Sequence, residues 1–149
     1  MLRYYNVFHI SQVDGIEPLS YEPKELPPLD EAEKVISDYI TREHIVLENT
    51  ASNEAYYSPS RDLIHLPLME QFQNEAEYYS TAFHELTHST GHKNRLDRLN
   101  SATTARFGSE DYSKEELVAE IGSANIMNIL SIETTESFRN STAYIQNWL

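Results

Sequence analysis

Apolar and polar positions change their spacing several times along this chain, and each change marks an element. Residues 3–13 (RYYNVFHISQV) are dense in Tyr, Val, Phe and Ile and stop at Asp14-Gly15, which predicts a strand closed by a turn. Four of the six prolines (Pro18, Pro23, Pro27 and Pro28) follow within eleven residues and predict an extended connection over the surface of one domain. From Asp30 to Tyr39 the apolar positions Ala32, Val35, Ile36, Tyr39 and Ile40 have helical spacing, with Asp30 as the expected cap. Short β-rich runs at His44–Leu47, Ala55–Tyr57 and Leu63–Leu66, with a turn at Ser58–Asp62, predict a small antiparallel sheet containing one hairpin.

Two longer helices follow. Asn74-Glu75-Ala76-Glu77 has capping-box form and Gly91 stands at a natural stop, so residues 75–90 are predicted helical. Ser113-Lys114-Glu115-Glu116 repeats that form before Leu117, Val118, Ile121 and Ala124, predicting a second long helix over 114–130. Thr142–Leu149 reads as the start of another helix, which the chain leaves in mid-pattern, as a fragment of a longer protein would. A single α+β domain over residues 1–149 is expected.

Composition narrows the partners. The formal net charge is −13, from 24 acidic and 11 basic residues, so phosphate backbones are repelled and direct nucleic-acid binding is not expected. His92, Lys93, Arg95 and Arg98 form a local basic cluster, read as a solvated turn that favours the end of the preceding helix. The first residues lack the apolar core of a signal peptide, and no run approaches the roughly 18 apolar residues of a membrane span, so a cytoplasmic location is expected. With no cysteine in the chain, any metal must be held by nitrogen and oxygen.

His84-Glu85-Leu86-Thr87-His88 is an HExxH motif on the first long helix. At about 100° per residue, Tyr79, Ala82, Phe83, Leu86 and Thr90 form the core-facing stripe, which leaves His84 and His88 together on another side, able to converge on one Zn²⁺. Glu85 is the expected general base. A catalytic zinc needs a third protein ligand and an open position. Extension to HExxHxxGxxH fails because Asn94 stands where the last histidine would be, and His92 or Asp97 reach the site only by an unusual turn. Glu116 and Glu120, four apart on the later helix and followed by the small residues Gly122, Ser123 and Ala124, are better placed. One of the two would ligate, Glu116 foremost, while the other orients a ligating histidine from behind. Tyr112 and His65 are candidates for stabilising a developing oxyanion, and the strand Leu63–Leu66 for pairing with an extended peptide.

The runs VFHISQVDG, AYYSPSRDLIHLP, AFHELTHSTGHKNRLDR, FGSEDYSKEELVAEIGSA and STAYIQNWL together resemble the zincin-like metallopeptidase domain of ArdC-type antirestriction and polyvalent mobile-element proteins, over nearly the whole chain. EELVAEIGSANIM is also similar to the glutamate-bearing helix of ImmA/IrrE-like peptidases, and that resemblance implies Glu116 as third ligand in a gluzincin-like set. It further implies a zincin fold, a bacterial plasmid or other mobile element as origin, and a partner in a restriction or DNA-transfer system. The expected activity is zinc-dependent hydrolysis of a peptide or protein substrate. The alternatives are an acidic, DNA-mimicking antirestriction protein with a structural zinc, and an inactive zincin scaffold.

Overall fold

In the computed structural model the described residues are 25–99 and 110–132, with Gln12 and Gly15 beside them. The strand expected over 3–13, most of the proline-rich connection and the helix expected over 142–149 lie outside the described residues.

Helix α1 (Asp30–Glu43) opens with Asp30, Glu31 and Glu33, which complement the positive end of its dipole, and it closes on His44 in the left-handed region. Asp30 is the first helical residue and not the cap. The cap position belongs to Leu29, which has no polar side chain, and Tyr79 takes over the task from the neighbouring helix. Its hydroxyl accepts the Leu29 N–H at 2.9 Å and donates to Glu33 Oε1 at 2.8 Å.

Strands β1 (Val46–Asn49), β2 (Tyr56–Ser58) and β3 (Leu63–Leu66) form one sheet in the order β1-β3-β2. The hairpin β2–β3 is present as expected, with Tyr57 opposite Ile64. The expectation of a wholly antiparallel sheet is corrected: β1 pairs with β3 in parallel, Val46 opposite Leu63, and the sheet is mixed. The hairpin reverses the chain at β2, so β3 runs in the direction of β1 and slots between the other two. All four residues of β3 are buried, as befits a central strand. Its two edges are both paired, so the expected docking of a peptide along Leu63–Leu66 is also corrected; β1 and β2 are the edge strands among the described residues.

Helix α2 (Glu75–Thr90) follows a short turn of 3₁₀-helix, Met69–Gln71. The Asn74 side chain accepts the Glu77 N–H at 2.9 Å, as the capping pattern predicts. Tyr79, Ala82, Phe83 and Leu86 face the core with Ile36, Ile64, Leu66 and Met127. Gly91 ends the helix because the chain doubles back on it: a Cβ there would lie 2.8 Å from Leu99 Cγ.

Helix α3 (Glu110–Ile129) starts before Ser113, which therefore lies in its first turns and is not its cap. It runs antiparallel against α2, and this is the most extensive contact between elements among the described residues. Two small residues set the approach. Ser123 Oγ donates to the Ser80 carbonyl at 2.7 Å, and Gly122 faces Thr87 so closely that a Cβ would meet Thr87 Cγ2 at 2.5 Å.

Candidate metal centre

The antiparallel α2–α3 pairing brings His84 and His88, one turn apart on α2, opposite Glu116 of α3. His84 Nε2 and His88 Nε2 are 3.0 Å apart, and the two Glu116 oxygens lie 3.6 Å from one or the other. Ligand atoms about 2.0–2.2 Å from one tetrahedral ion stand roughly 3.3–3.5 Å from each other, so this triangle has the size of a metal site. Among the described residues these three form the group whose ligand atoms converge.

Hydrogen-bond chemistry points the same way. His84 Nδ1 lies 3.2 Å from Glu120 Oε2, and His88 Nδ1 lies 3.4 Å from Glu115 Oε1. A carboxylate only accepts, so each Nδ1 meets its carboxylate as a donor, which leaves the two Nε2 atoms turned toward each other and toward Glu116. Two imidazole nitrogens 3.0 Å apart and a carboxylate 3.6 Å from them are stabilised by a positive charge among them, supplied by a proton or by a metal ion. Burial disfavours charging His84, yet Glu116 and Glu120 outweigh it and push its pKa up to about 9. The donor set fits a divalent cation, and nitrogen with oxygen donors suits zinc or manganese.

Glu85 is buried beside the histidines. Burial, with Glu116 adding to it, raises its carboxyl above the usual range, while His84, His88 and a hydrogen bond from the Tyr57 main chain pull the other way. Tyr112 stands one turn before Glu116; burial first and the Glu116 charge second push its pKa up to about 12, so its hydroxyl keeps its proton. Glu85, Tyr112, the three metal-facing residues, β2 and its turn at Pro59-Ser60 line one cleft of about 570 Å³.

Other candidates are placed elsewhere. His65 is buried in β3, stacked on Tyr56 with ring centroids 5.1 Å apart, and is not a lining residue of the cleft. His92 is buried in the turn after α2, where Nδ1 accepts the Asn94 N–H and lies 3.8 Å from Asp62 Oδ2. Asp97 is exposed in the same turn. The basic cluster is not a solvated turn: Arg95, 8% exposed at its side chain, forms a forked pair with Asp62, bonds to Tyr57 Oη and donates to the Ser89 carbonyl. Arg98 grips Glu115 through two bonds of 3.2 and 3.0 Å. Glu115 itself was missed from the sequence. Its available signal was an acidic residue immediately before Glu116, on the side of α3 that an imidazole one turn beyond His84 reaches.

The pattern of the zincin-like metallopeptidase family matches residues 31–149. The chain belongs to that family. A DNA primase, TraC, of Escherichia coli is 40% identical over 149 residues, covering 96% of this chain and 13% of the primase. The uncharacterized protein y4eC of Sinorhizobium fredii is 36% identical, covering 99% of this chain and 45% of its own length. Among solved structures, the Mn(II)-bound antirestriction ArdC protein from plasmid R388 superposes with a TM-score of 0.61 at 34% identity, covering 97% of this chain and 51% of ArdC. The metal-free form of ArdC gives 0.54 at 31% identity, covering 95% and 50%. The chain therefore spans about half or less of each of these relatives. The α+β architecture expected for a zincin is the one observed, and no helix among the described residues is long and apolar enough to cross a membrane.

Proposed function

We propose that this domain is a metal-dependent peptidase, with zinc as the expected ion, serving antirestriction or DNA transfer of a bacterial mobile element. The observation that carries the reading is the convergence of the His84, His88 and Glu116 donors at a cleft that also holds a buried carboxylate, Glu85. The antirestriction and primase names of the relatives support the biological setting, and the Mn(II) in one of them supports a divalent ion.

His84, His88 and Glu116 would hold the ion, which when bound supplies Lewis acidity toward a carbonyl and toward water. Glu85, raised by burial, accepts a proton from the attacking water and passes it to the leaving amine. Its hydrogen bond from the Tyr57 main chain helps hold it in the lining of the cleft. The Tyr112 hydroxyl donates to negative charge developing on the carbonyl oxygen. The edge of β2 gives an extended substrate a backbone to pair with.

Glu85→Gln tests this reading. It is expected to retain metal and to lower cleavage of a fluorogenic peptide library by about 100-fold or more; cleavage at the parental rate contradicts it. Net charge −13 favours a second reading, in which the domain occupies the DNA groove of a restriction enzyme and the metal is structural. Full antirestriction by the Glu85→Gln protein, weakened by salt, decides for that one.

A further inference from the structure

Behind His88 lies a construction to which the proposed reaction assigns no role. Glu115 Oε1 is 3.4 Å from His88 Nδ1. The same oxygen accepts from Arg98 Nη2 at 3.0 Å, and Oε2 accepts from Arg98 Nε at 3.2 Å, so the carboxylate is held by a fork and cannot rotate freely. Arg98 is anchored in turn on α2. Its Nη1 donates to Thr90 Oγ1 at 2.9 Å and its Nη2 to the Thr87 carbonyl at 3.1 Å, one residue before His88. Gly91 makes this possible, because any side chain there would strike Leu99 Cγ at 2.8 Å and Arg98 Nη2 at 3.3 Å. The loop after α2 thus folds back so that one guanidinium joins the end of α2 to the start of α3.

We propose that Glu115, clamped by Arg98, is a positioning residue for His88: it holds the ring proton on Nδ1 and so presents the Nε2 lone pair to a divalent cation. The inference rests on the metal-centre reading and deepens it. Glu120 stands in the equivalent relation to His84, at 3.2 Å. Each imidazole therefore has its own carboxylate, one from each side of Glu116 on α3. Arg98 distinguishes the two: it partly neutralises the Glu115 carboxylate and ties the orientation of His88 to the loop 91–99. Such outer partners set tautomer, ring orientation and basicity, and losing one weakens metal binding about 10–100-fold.

The test uses the full chain and the metal alone. Affinity for Zn²⁺ and Mn²⁺ is measured by competition with a chromogenic chelator for the parent, Glu115→Ala and Glu115→Gln. Long-range ¹H–¹⁵N correlation spectra of the zinc-loaded parent read the His88 tautomer. Expected are a 10–100-fold loss for Glu115→Ala, a smaller loss for Glu115→Gln, whose amide oxygen still accepts the Nδ1 proton, and a His88 proton on Nδ1. Parental affinity in Glu115→Ala, equal losses in the two variants, or a proton on Nε2 overturns the proposal while leaving the metal centre intact. If Glu115→Ala does not fold, the Glu115→Gln affinity and the tautomer still decide. A parent that binds neither ion removes the metal-centre reading and this inference with it.

Discussion

The close approach of α2 and α3 at Gly122 makes Gly122→Ala an informative perturbation. The added Cβ would lie 2.5 Å from Thr87 Cγ2, 2.7 Å from Oγ1 and 3.1 Å from Cβ, against ordinary contacts of about 3.5–4.0 Å. Thr87 cannot simply turn away, because its Oγ1 is bonded to the Phe83 carbonyl at 2.7 Å. Relief requires α3 to shift by the better part of an ångström, and Glu116 rides on that helix about 9 Å along its axis. Overpacking of this kind costs about 1–3 kcal/mol, whereas alanine in place of glycine in a helix gains about 1 kcal/mol. The net change in stability is thus small or moderately unfavourable, near 0–2 kcal/mol, but binding of the metal should weaken at least tenfold as Glu116 leaves its position. Thr87→Ala removes the two nearer clashes and leaves only the contact at 3.1 Å. A double-mutant cycle should therefore show the two substitutions compensating by about 1–2 kcal/mol. Calorimetry gives both quantities, from thermal unfolding without metal and titration with metal. Were Gly122→Ala to raise stability by about 1 kcal/mol, bind metal as the parent does and show additivity with Thr87→Ala, the claim that this contact positions Glu116 would be wrong.

Arg95→Met should destabilise by about 2–3 kcal/mol, because it strips Asp62, Tyr57 and the Ser89 carbonyl of one donor; a change under about 0.5 kcal/mol in urea unfolding counts against the network. Burial raises the Asp62 carboxyl, but bonds from Arg95 and Tyr57 overcome this and hold it below its ordinary 3.8. A depressed folded-state pKa means stability that is complete above the unfolded value and lost as pH falls through the folded one. The parent should therefore weaken below about pH 4 more steeply than Asp62→Asn, and equal slopes would contradict the assignment. Metal at about 100 times its Kd should add about 2.7 kcal/mol to unfolding, and EDTA should remove that increment. His65 is buried with Nδ1 lacking a hydrogen-bond partner among the described residues, so His65→Phe should change stability by less than about 1 kcal/mol and leave metal affinity unaltered. Loss of metal in that variant would return His65 to the site.

What the sequence made legible follows from how local each signal is. The Asn74 cap, the stripe of Tyr79, Ala82, Phe83 and Leu86, and the HExxH spacing all act within a few turns of one helix, and each lies where the pattern places it. The parallel pairing of β1 with β3 depends on the spatial order of the three strands, which no spacing along Val46–Leu66 encodes. The Leu29 cap escaped for a similar reason, since its partner Tyr79 is fifty residues away. Arg95 and Arg98 read as a solvated turn because their partners, Asp62 and Glu115, lie on other elements. The Glu116 and Glu120 spacing gave the face of α3 that meets the histidines, but Glu115 shares the task, and only the fold-back at Gly91 brings Arg98 to it.

The proposed metal centre has His84, His88 and Glu116 holding one divalent ion. Inductively coupled plasma mass spectrometry of the purified full chain, beside His84→Ala, His88→Ala and Glu116→Ala, tests it most directly. Close to one zinc or manganese ion per parent chain and a large loss in each of the three folded variants are expected. A metal-free parent that takes up neither ion on dialysis, or variants that retain the full complement, would contradict it.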